Sequence, residues 1–270
     1  NIWRKKKMKI AIIGYGNMAN ALLNGILSSN DNIVSDSIYI FHNKKNDTYS
    51  QDKCIFLNSG QACNKKFDII LLCVKPKDIE SAINENKNIF EDNQVLVSVI
   101  AGITIESIKK TIEKKVSVVR AMPNLCAIFN ESITGICSDD SVSSDKKKYI
   151  EDIFRTIGHL KEIKEDEMNS FTALFGSGPA YIMYFIEALI DSEEFSSISK
   201  EDKSLLILHL LSSTSKMLFI AEDIKELRSK VTSKGGTTEA AIKTLEENNF
   251  PKILKKAISN ARRKSLEISK

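Results

Sequence analysis

The sequence is poor in proline, tryptophan and histidine, with 4, 1 and 3 residues of these types among 270. Its five cysteines are odd in number and form no C-x-x-C pair; they are Cys54, Cys63, Cys73, Cys126 and Cys137. This usage is typical of reduced thiols in a cytosolic protein and argues against a metal centre or a disulfide framework. We therefore expect no metal site and a cytoplasmic location.

Long apolar runs are missing as well, because no stretch reaches the eighteen or so consecutive apolar residues that a transmembrane helix needs. Basic residues between Arg4 and Lys9 precede an apolar segment, which superficially resembles a secretory signal. However, Gly14 and Gly16 interrupt that segment, whereas the core of a signal is a continuous apolar block. We expect Asn1–Lys7 to be a disordered extension, and no contact with a membrane.

Charge of one sign is not in excess either. The 39 basic and 35 acidic residues leave a formal net charge of +4, whereas nucleic-acid binders concentrate basic charge. Hydrophobic residues make up 42% of the chain, which is enough for an ordinary buried core in one or two domains. These features favour a small-molecule partner and argue against nucleic acid.

Short apolar runs alternate with helix-like segments in the first half. Strands are predicted at Lys9–Ile13, Ser37–Phe41, Phe67–Val74, Val95–Ile100, Val116–Arg120 and Ser132–Cys137. Helices are predicted between or after them at Asn17–Leu27, Pro76–Ile89, Thr104–Lys114 and Asp145–Ile157. The alternation predicts an α/β fold, with a Rossmann-type, doubly wound parallel sheet over residues 8–164.

The second half, residues 165–270, shows no convincing strand pattern. Helical periodicity covers Asn169–Asp191, Lys200–Ala221, Thr238–Asn248 and Pro251–Ile268. This part is predicted to be an all-helical C-terminal domain.

The strongest local motif is Gly14-x-Gly16-x-x-Ala19, which follows the first strand and opens the first helix. Gly14 permits a tight turn, Gly16 lets a pyrophosphate approach the backbone, and Ala19 allows close packing of helix and strand. The helix start adds free N–H groups for the phosphates. The motif predicts a dinucleotide site that contains Ile13, Gly14, Tyr15, Gly16, Asn17, Met18 and Ala19.

The end of the second predicted strand bears on the coenzyme, because an acid there binds the ribose 2′-hydroxyl of NAD. Here Asn43, Lys44 and Lys45 come first, and the next acid is Asp47. Asn43 and Lys44 suit a 2′-phosphate and favour NADPH, with NADH possible. The alternative is a solvated lysine loop.

Further segments resemble the pyrroline-5-carboxylate reductases, which catalyse the last step of proline biosynthesis. They are Leu72–Pro76, Ser98–Gly102, Phe175–Tyr181 and Val231–Thr238. Together with the glycine-rich turn, the resemblance covers almost all of the chain from Met8. It implies NAD(P)H-dependent reduction of L-1-pyrroline-5-carboxylate to L-proline.

The resemblance also implies roles for particular residues. The cofactor would be contacted by Val74, Lys75, Pro76, Val99, Ile100 and Ala101, at the strand ends where ligands of open α/β sheets bind. The helical domains of the family interlock between subunits, which implies a homodimer or a higher homo-oligomer. Small residues at Gly176–Pro179 fit either close helix packing or the nicotinamide.

The substrate carboxylate is expected at Gly235, Gly236, Thr237 and Thr238. Thr237 or Thr238 is predicted to cap a helix whose positive end faces the anion. We hypothesise that the Thr238 hydroxyl bonds the ring nitrogen and orients or protonates the imine, while Glu165 faces the substrate ring. The alternatives are a capped helix with nothing bound and, for Glu165, one acid in a solvated run.

No histidine lies in a family motif, and His42, His159 and His209 are expected to be structural. This is chemically tolerable, because a cyclic imine can arrive already protonated. The enzyme then has mainly to hold the two reacting atoms close together.

The sequence departs from the family pattern where Lys234 replaces a proline, Asp223-Ile224 replaces a His-Pro pair, and Ser59 or Gly60 replaces an asparagine. Two other functions stay open. A β-hydroxyacid dehydrogenase would need a lysine acid such as Lys216, and a nucleotide-sensing module would leave Gly235–Thr238 without a task.

Overall fold

The computed structural model describes residues 8–29, 37–43, 53–195 and 197–268. The strands are β1 Ile10–Ile13, β2 Ile38–His42, β3 Cys54–Asn58, β4 Ile69–Leu72, β5 Val95–Ser98, β6 Ser117–Met122, β7 Ser132–Ser138 and β8 Gly158–Glu162. The expected extension Asn1–Lys7 and the two lysines Lys44 and Lys45 lie outside the described residues.

The α-helices are α1 Asn17–Ser28, α2 Ile79–Glu85, α3 Ile105–Thr111, α4 Ser144–Arg155, α5 Met168–Phe171, α6 Gly178–Ile190, α7 Lys200–Phe219, α8 Ile224–Lys230, α9 Thr237–Glu247 and α10 Phe250–Ile268. Short 3₁₀ turns lie at Pro76–Asp78, Lys87–Ile89, Leu125–Phe129 and Glu165–Glu167, and a π-helical turn at Thr172–Gly176. The helix predicted at Pro76–Ile89 is therefore α2 with a 3₁₀ turn at each end.

The strands form one sheet in the order β3-β2-β1-β4-β5-β6-β7-β8. The chain runs outward from β1 to β3, then crosses back to β4 and continues the other way, which confirms the doubly wound α/β fold. The prediction of a wholly parallel sheet is wrong at one pair, because β6 and β7 are antiparallel. The link from Met122 to Ser132 is too short for the crossover that a parallel pair needs.

Two strands, β3 and β8, were missed by the sequence prediction. Both lie at the edges of the sheet. Every residue of β3 is at least partly exposed, and β8 reads Gly-His-Leu-Lys-Glu. Edge strands bury little, so they lack the apolar run that marks the central strands.

The central strands are buried on both faces, as a sheet covered by helices requires. Ile10 and Ile12 of β1 belong to one apolar cluster with residues of α1 and α4. Ala11 and Ile13 belong to a second cluster with residues of α2 and α3. This burial fixes the position of the carboxyl ends of β1, β4 and β5.

The chain divides into two compact units. One contains the chain up to Ser177 together with the end from Ala261, and the other is Gly178–Asn260. In the second unit, α6, α7, α8 and α9 contain no buried residue. Tyr184, Phe219 and Ile220 are 76%, 88% and 86% exposed. The 26-residue stretch Glu165–Ile190 also has the length and composition of a membrane-spanning helix.

Candidate active site

The turn after β1 has room only for glycine at Gly14. Its φ is +93°, and a Cβ would lie 2.6 Å from the Cys73 carbonyl oxygen. Its N–H donates to the Phe41 carbonyl at 2.8 Å, which ties the turn to the end of β2. The turn leads into α1 at Asn17, so the predicted strand-turn-helix context is present.

Gly16 is different, because the protein itself leaves room for a side chain. It has an ordinary φ of −99° as the N-cap of α1, and a Cβ would meet no atom within 4 Å. Open space therefore lies beside the first N–H groups of the helix, which have no intrahelical partners. A pyrophosphate fits this arrangement of free donors and a positive helix end.

The other residues of the motif support the turn. Ala19 is fully buried under the sheet. The Tyr15 hydroxyl donates to Asn20 Oδ1 at 3.1 Å, and the Tyr15 ring packs against His42 and Phe56. Asn17 and Met18 occupy the exposed and half-exposed first positions of α1. His42 is accordingly buried in an aromatic cluster, which agrees with its expected structural role.

Backbone hydrogen bonds align the predicted cofactor segments along one edge of the sheet. The Cys73 N–H donates to the Ile13 carbonyl at 2.8 Å, and the Val99 N–H donates to the Leu72 carbonyl at 3.2 Å. The ends of β2, β1, β4 and β5 are thus neighbours, with the switch in chain direction between β1 and β4. Open α/β sheets bind their ligands at such a point.

The structure therefore brings together most of the residues predicted for the cofactor: Ile13–Ala19, Asn43, Val74–Pro76 and Val99–Ala101. Pro76 begins its 3₁₀ turn as predicted, with Lys75 as the extended N-cap. Ile100 is buried, and its N–H donates to Ser98 Oγ at 3.3 Å. The predicted partner Lys44 lies outside the described residues.

The Cys73 thiol sits beside this edge, one residue after β4. Burial raises its pKa to about 12. The thiol therefore stays protonated at neutral pH, and it is a poor nucleophile because the thiolate is the reactive form. Its backbone N–H aligns the end of β4 with β1, through the bond to the Ile13 carbonyl.

A cavity of about 240 Å³ opens between the ends of β1, β2 and β4. Asn43 and Ser59 line it on one side, and Asp78, Ser81 and Glu85 on the other. Asn43 Nδ2 donates to Glu85 Oε2 at 2.9 Å. Asp78, Ser81 and Glu85 were not predicted from the sequence as residues of the site. Their spacing after Pro76 is helical, which places them on one face, directed at the strand ends.

Glu165 has protein partners in this structure. Its Oε1 accepts from Arg120 Nη1 at 3.0 Å and from the Ile105 N–H at 2.8 Å. Arg120 is buried on β6, with 4% of its side chain exposed, whereas 37% of the Glu165 side chain is exposed. The contact of Glu165 with a substrate ring stays a prediction.

The π-helical turn Thr172–Gly176 is held by the loop after β6. Asn124 Nδ2 donates to the Phe175 carbonyl at 3.0 Å, and Asn124 is buried. A Cβ on Gly176 would lie 3.2 Å from Met122 Cε, so the turn packs closely against the end of β6 at this glycine. Irregular turns of this kind are frequent at functional sites.

In the helical unit, α9 begins at Thr237 with Gly236 as its N-cap. The prediction that Thr237 or Thr238 caps the helix is therefore wrong. Gly236 has no side chain with which to cap the helix. Glu239 Oε2 accepts from the Gly235 N–H at 2.7 Å, which tightens the loop before α9. Gly235 needs its glycine for a φ of +75°.

Because neither threonine caps α9, the hydroxyls of Thr237 and Thr238 can bind other groups. The Gly236 N–H is occupied by the Ser233 carbonyl at 3.0 Å. Within the described part of the chain, no hydrogen bond involves the Thr237 or Thr238 hydroxyl. The first N–H groups of α9 lie beside these hydroxyls. An open groove of about 640 Å³ borders Gly235, Gly236 and Glu239, but neither Thr237 nor Thr238 lines it. An anion of modest size fits these donors.

The fold and the aligned strand ends define a dinucleotide-binding protein of the Rossmann class. The family model described as "Pyrroline-5-carboxylate reductase dimerisation" matches residues 165–268. The model described as "NADP oxidoreductase coenzyme F420-dependent" matches residues 9–102.

Relatives match over nearly the full length. Pyrroline-5-carboxylate reductase 2 of Bacillus subtilis is 34% identical and covers 96% of this chain and 95% of its own. The Staphylococcus aureus reductase is 31% identical, covering 97% and 98%. The chain belongs to the pyrroline-5-carboxylate reductase family.

Solved structures agree. The Plasmodium falciparum pyrroline carboxylate reductase with NADP bound has a TM-score of 0.85 at 30% identity, covering 97% of this chain and 98% of its own. The Coxiella burnetii pyrroline-5-carboxylate reductase has a TM-score of 0.80 at 31% identity, covering 98% and 100%.

Proposed function

We propose that this protein reduces L-1-pyrroline-5-carboxylate to L-proline with NADPH, and that NADH can replace NADPH. The main support for the proposal is that the same chain contains two features: a dinucleotide-binding turn at Gly14–Ala19 and a helix start suited to an anion at Gly236–Thr238. The relatives that share both halves are named for this reaction.

The cofactor is held by the chain's own backbone and small residues. Gly16 leaves the space for the pyrophosphate, and the first N–H groups of α1 donate to it. Asn43 and Lys44 receive the adenosine ribose end. Val74–Pro76 and Val99–Ala101 line the path towards the nicotinamide. When bound, NADPH supplies the hydride, and the fold supplies its position.

The substrate is oriented by the start of α9. The N–H groups of Thr237 and Thr238 bind the carboxylate, with Gly235 and Gly236 giving the loop the shape that exposes them. The protonated ring nitrogen donates to the Thr238 hydroxyl oxygen, which orients the imine and favours its protonated form, and Glu165 faces the ring. Orientation of this kind supplies much of the acceleration when no strong acid is needed.

We propose that residues 8–164 form the nucleotide-binding domain and residues 165–270 the substrate and dimerisation domain. The exposed apolar side chains of α6 and α7 support a homodimer or higher homo-oligomer through this part. The apolar stretch Glu165–Ile190 ends with α6, and burial of α6 against a second subunit removes the need for a membrane. All five cysteines are free, which supports a cytoplasmic location.

The test is to follow NADPH absorbance with pyrroline-5-carboxylate, and separately NADP reduction with 3-hydroxy acids. The proposal expects turnover only in the first reaction. Lys216, the lysine that a β-hydroxyacid dehydrogenase would need as its general acid, is an exposed residue of α7 and is not enclosed in a site. A protein that binds NADPH but turns over only the hydroxy acids would be a β-hydroxyacid dehydrogenase. Binding without turnover of either substrate class would favour a nucleotide sensor.

A further inference from the structure

Asn43 is the first residue after β2, the position from which a Rossmann fold reads the 2′-substituent of the adenosine ribose. Its side-chain amide does not stand alone there. Asn43 Nδ2 donates to Glu85 Oε2 at 2.9 Å, across 42 positions of sequence. Resting on the proposed function, we infer that Glu85 is a specificity-determining residue that weakens NADPH relative to NADH.

The cavity around this pair is acidic. It is bordered by Asp78 at the start and Glu85 at the end of the segment that carries α2. Among the described residues that line it, none is a lysine or an arginine. A ligand group that enters this cavity therefore lies next to two carboxylates, and no lysine or arginine among the described lining residues offsets their negative charge.

The two coenzymes differ only in what they place at this position. A ribose 2′-hydroxyl is a donor, and a carboxylate such as Glu85 accepts from it favourably. A 2′-phosphate carries between one and two negative charges near pH 7, and a carboxylate repels it. NADPH also has to compete with Glu85 for the Asn43 amide.

Lys44 and Lys45 follow Asn43 in the sequence and attract the 2′-phosphate. Glu85 opposes that attraction, so the net preference is a balance between the lysines and the carboxylate. Removing the charge of Glu85 shifts the balance towards NADPH, whatever the strength of the lysines. This direction is the testable content of the inference.

The experiment measures the Kd of NADPH and of NADH by isothermal titration calorimetry with the full chain and with Glu85→Gln. The glutamine keeps an acceptor for Asn43 and the length of the side chain. We expect the ratio of the two Kd values to move about tenfold in favour of NADPH. Most of the change should fall on NADPH.

The matched control is Glu80→Gln, which removes the same charge from an exposed position on α2 that does not border the cavity. We expect its Kd ratio to stay within about twofold of wild type, because its charge lies away from the cavity and solvent screens exposed charges over distance. The effect of Glu85→Gln should also shrink in about 1 M salt, where the screening length falls to about 3 Å.

The outcomes separate this inference from the proposed function, because no pyrroline substrate is used. If Glu85→Gln leaves the ratio unchanged, or Glu80→Gln moves it equally, the role of Glu85 is disproved and the reductase proposal stands. If the wild-type chain binds neither coenzyme, both fail.

Discussion

The Glu165 carboxylate joins the Arg120 guanidinium on β6 to the first N–H of α3, through Oε1 contacts of 3.0 Å and 2.8 Å. The helix start gains a negative charge at its positive end, and a buried cation gains a counter-ion. Glu165 therefore positions α3, which directly follows the Val99–Ala101 segment.

This ion pair predicts a loss of stability on truncation. Glu165→Ala leaves buried Arg120 unpaired, so the free energy of unfolding should fall by about 2–3 kcal/mol in urea titrations followed by circular dichroism. Adding Arg120→Met should restore most of the loss. An equal loss in the single and double variants would contradict a pairwise role.

The two glycines of the nucleotide turn should separate stability from binding. Gly14→Ala forces an alanine into a positive φ against the Cys73 carbonyl, and should cost at least about 2 kcal/mol of unfolding free energy. Gly16→Ala meets no protein atom, so its Tm should match wild type while the Kd of NADPH rises about tenfold or more. Unaltered NADPH binding by Gly16→Ala would place the pyrophosphate elsewhere.

Thr238 should act on the reaction and not on the coenzyme. Thr238→Ala removes the hydroxyl that we assign to the ring nitrogen, and should lower kcat/KM for pyrroline-5-carboxylate by about a hundredfold with NADPH affinity nearly intact. Thr238→Ser keeps the hydroxyl and should retain most activity. Unchanged kcat/KM in the alanine variant would remove Thr238 from the mechanism.

Asp139 should make stability depend on acid pH. It accepts from the Val118 N–H at 2.6 Å, from Lys109 Nζ at 2.8 Å and from the Ser141 N–H at 2.8 Å. Burial opposes its ionisation, but the hydrogen bonds from Lys109, Ser141 and Val118 outweigh burial and hold the pKa of the carboxyl below its ordinary value.

Because the folded pKa is lowered, the stabilisation is present above the unfolded pKa of about 4 and is lost as the pH falls through the folded value. Asp139→Asn should therefore be less stable than wild type at pH 6, and the difference should shrink below about pH 4. A difference that does not vary with pH would show that the charge of Asp139 is not involved.

The sequence predicts the site best where function depends on local chain geometry. The Gly14–Ala19 turn follows from glycines between a buried strand and a helix, and Pro76 marks the start of a helical segment by its own backbone restriction. The central strands can also be predicted from the sequence, because burial on both faces requires an unbroken apolar run.

The sequence could not predict features that depend on distant partners. Sheet order brings Glu85 to Asn43, and it makes edge strands of the weakly patterned β3 and β8. Likewise, Gly236 is the N-cap of α9 where a threonine was predicted, because glycine and threonine are both common at that position.

The sequence by itself thus determined a Rossmann-class chain of the pyrroline-5-carboxylate reductase family, because its motifs are local and specific. Only the tertiary structure decided that Glu165 pairs with Arg120, that β7 runs antiparallel to β6, and that a carboxylate stands beside Asn43. A hydrogen bond between residues 42 positions apart depends on how helices and strands pack, and no local pattern records that packing.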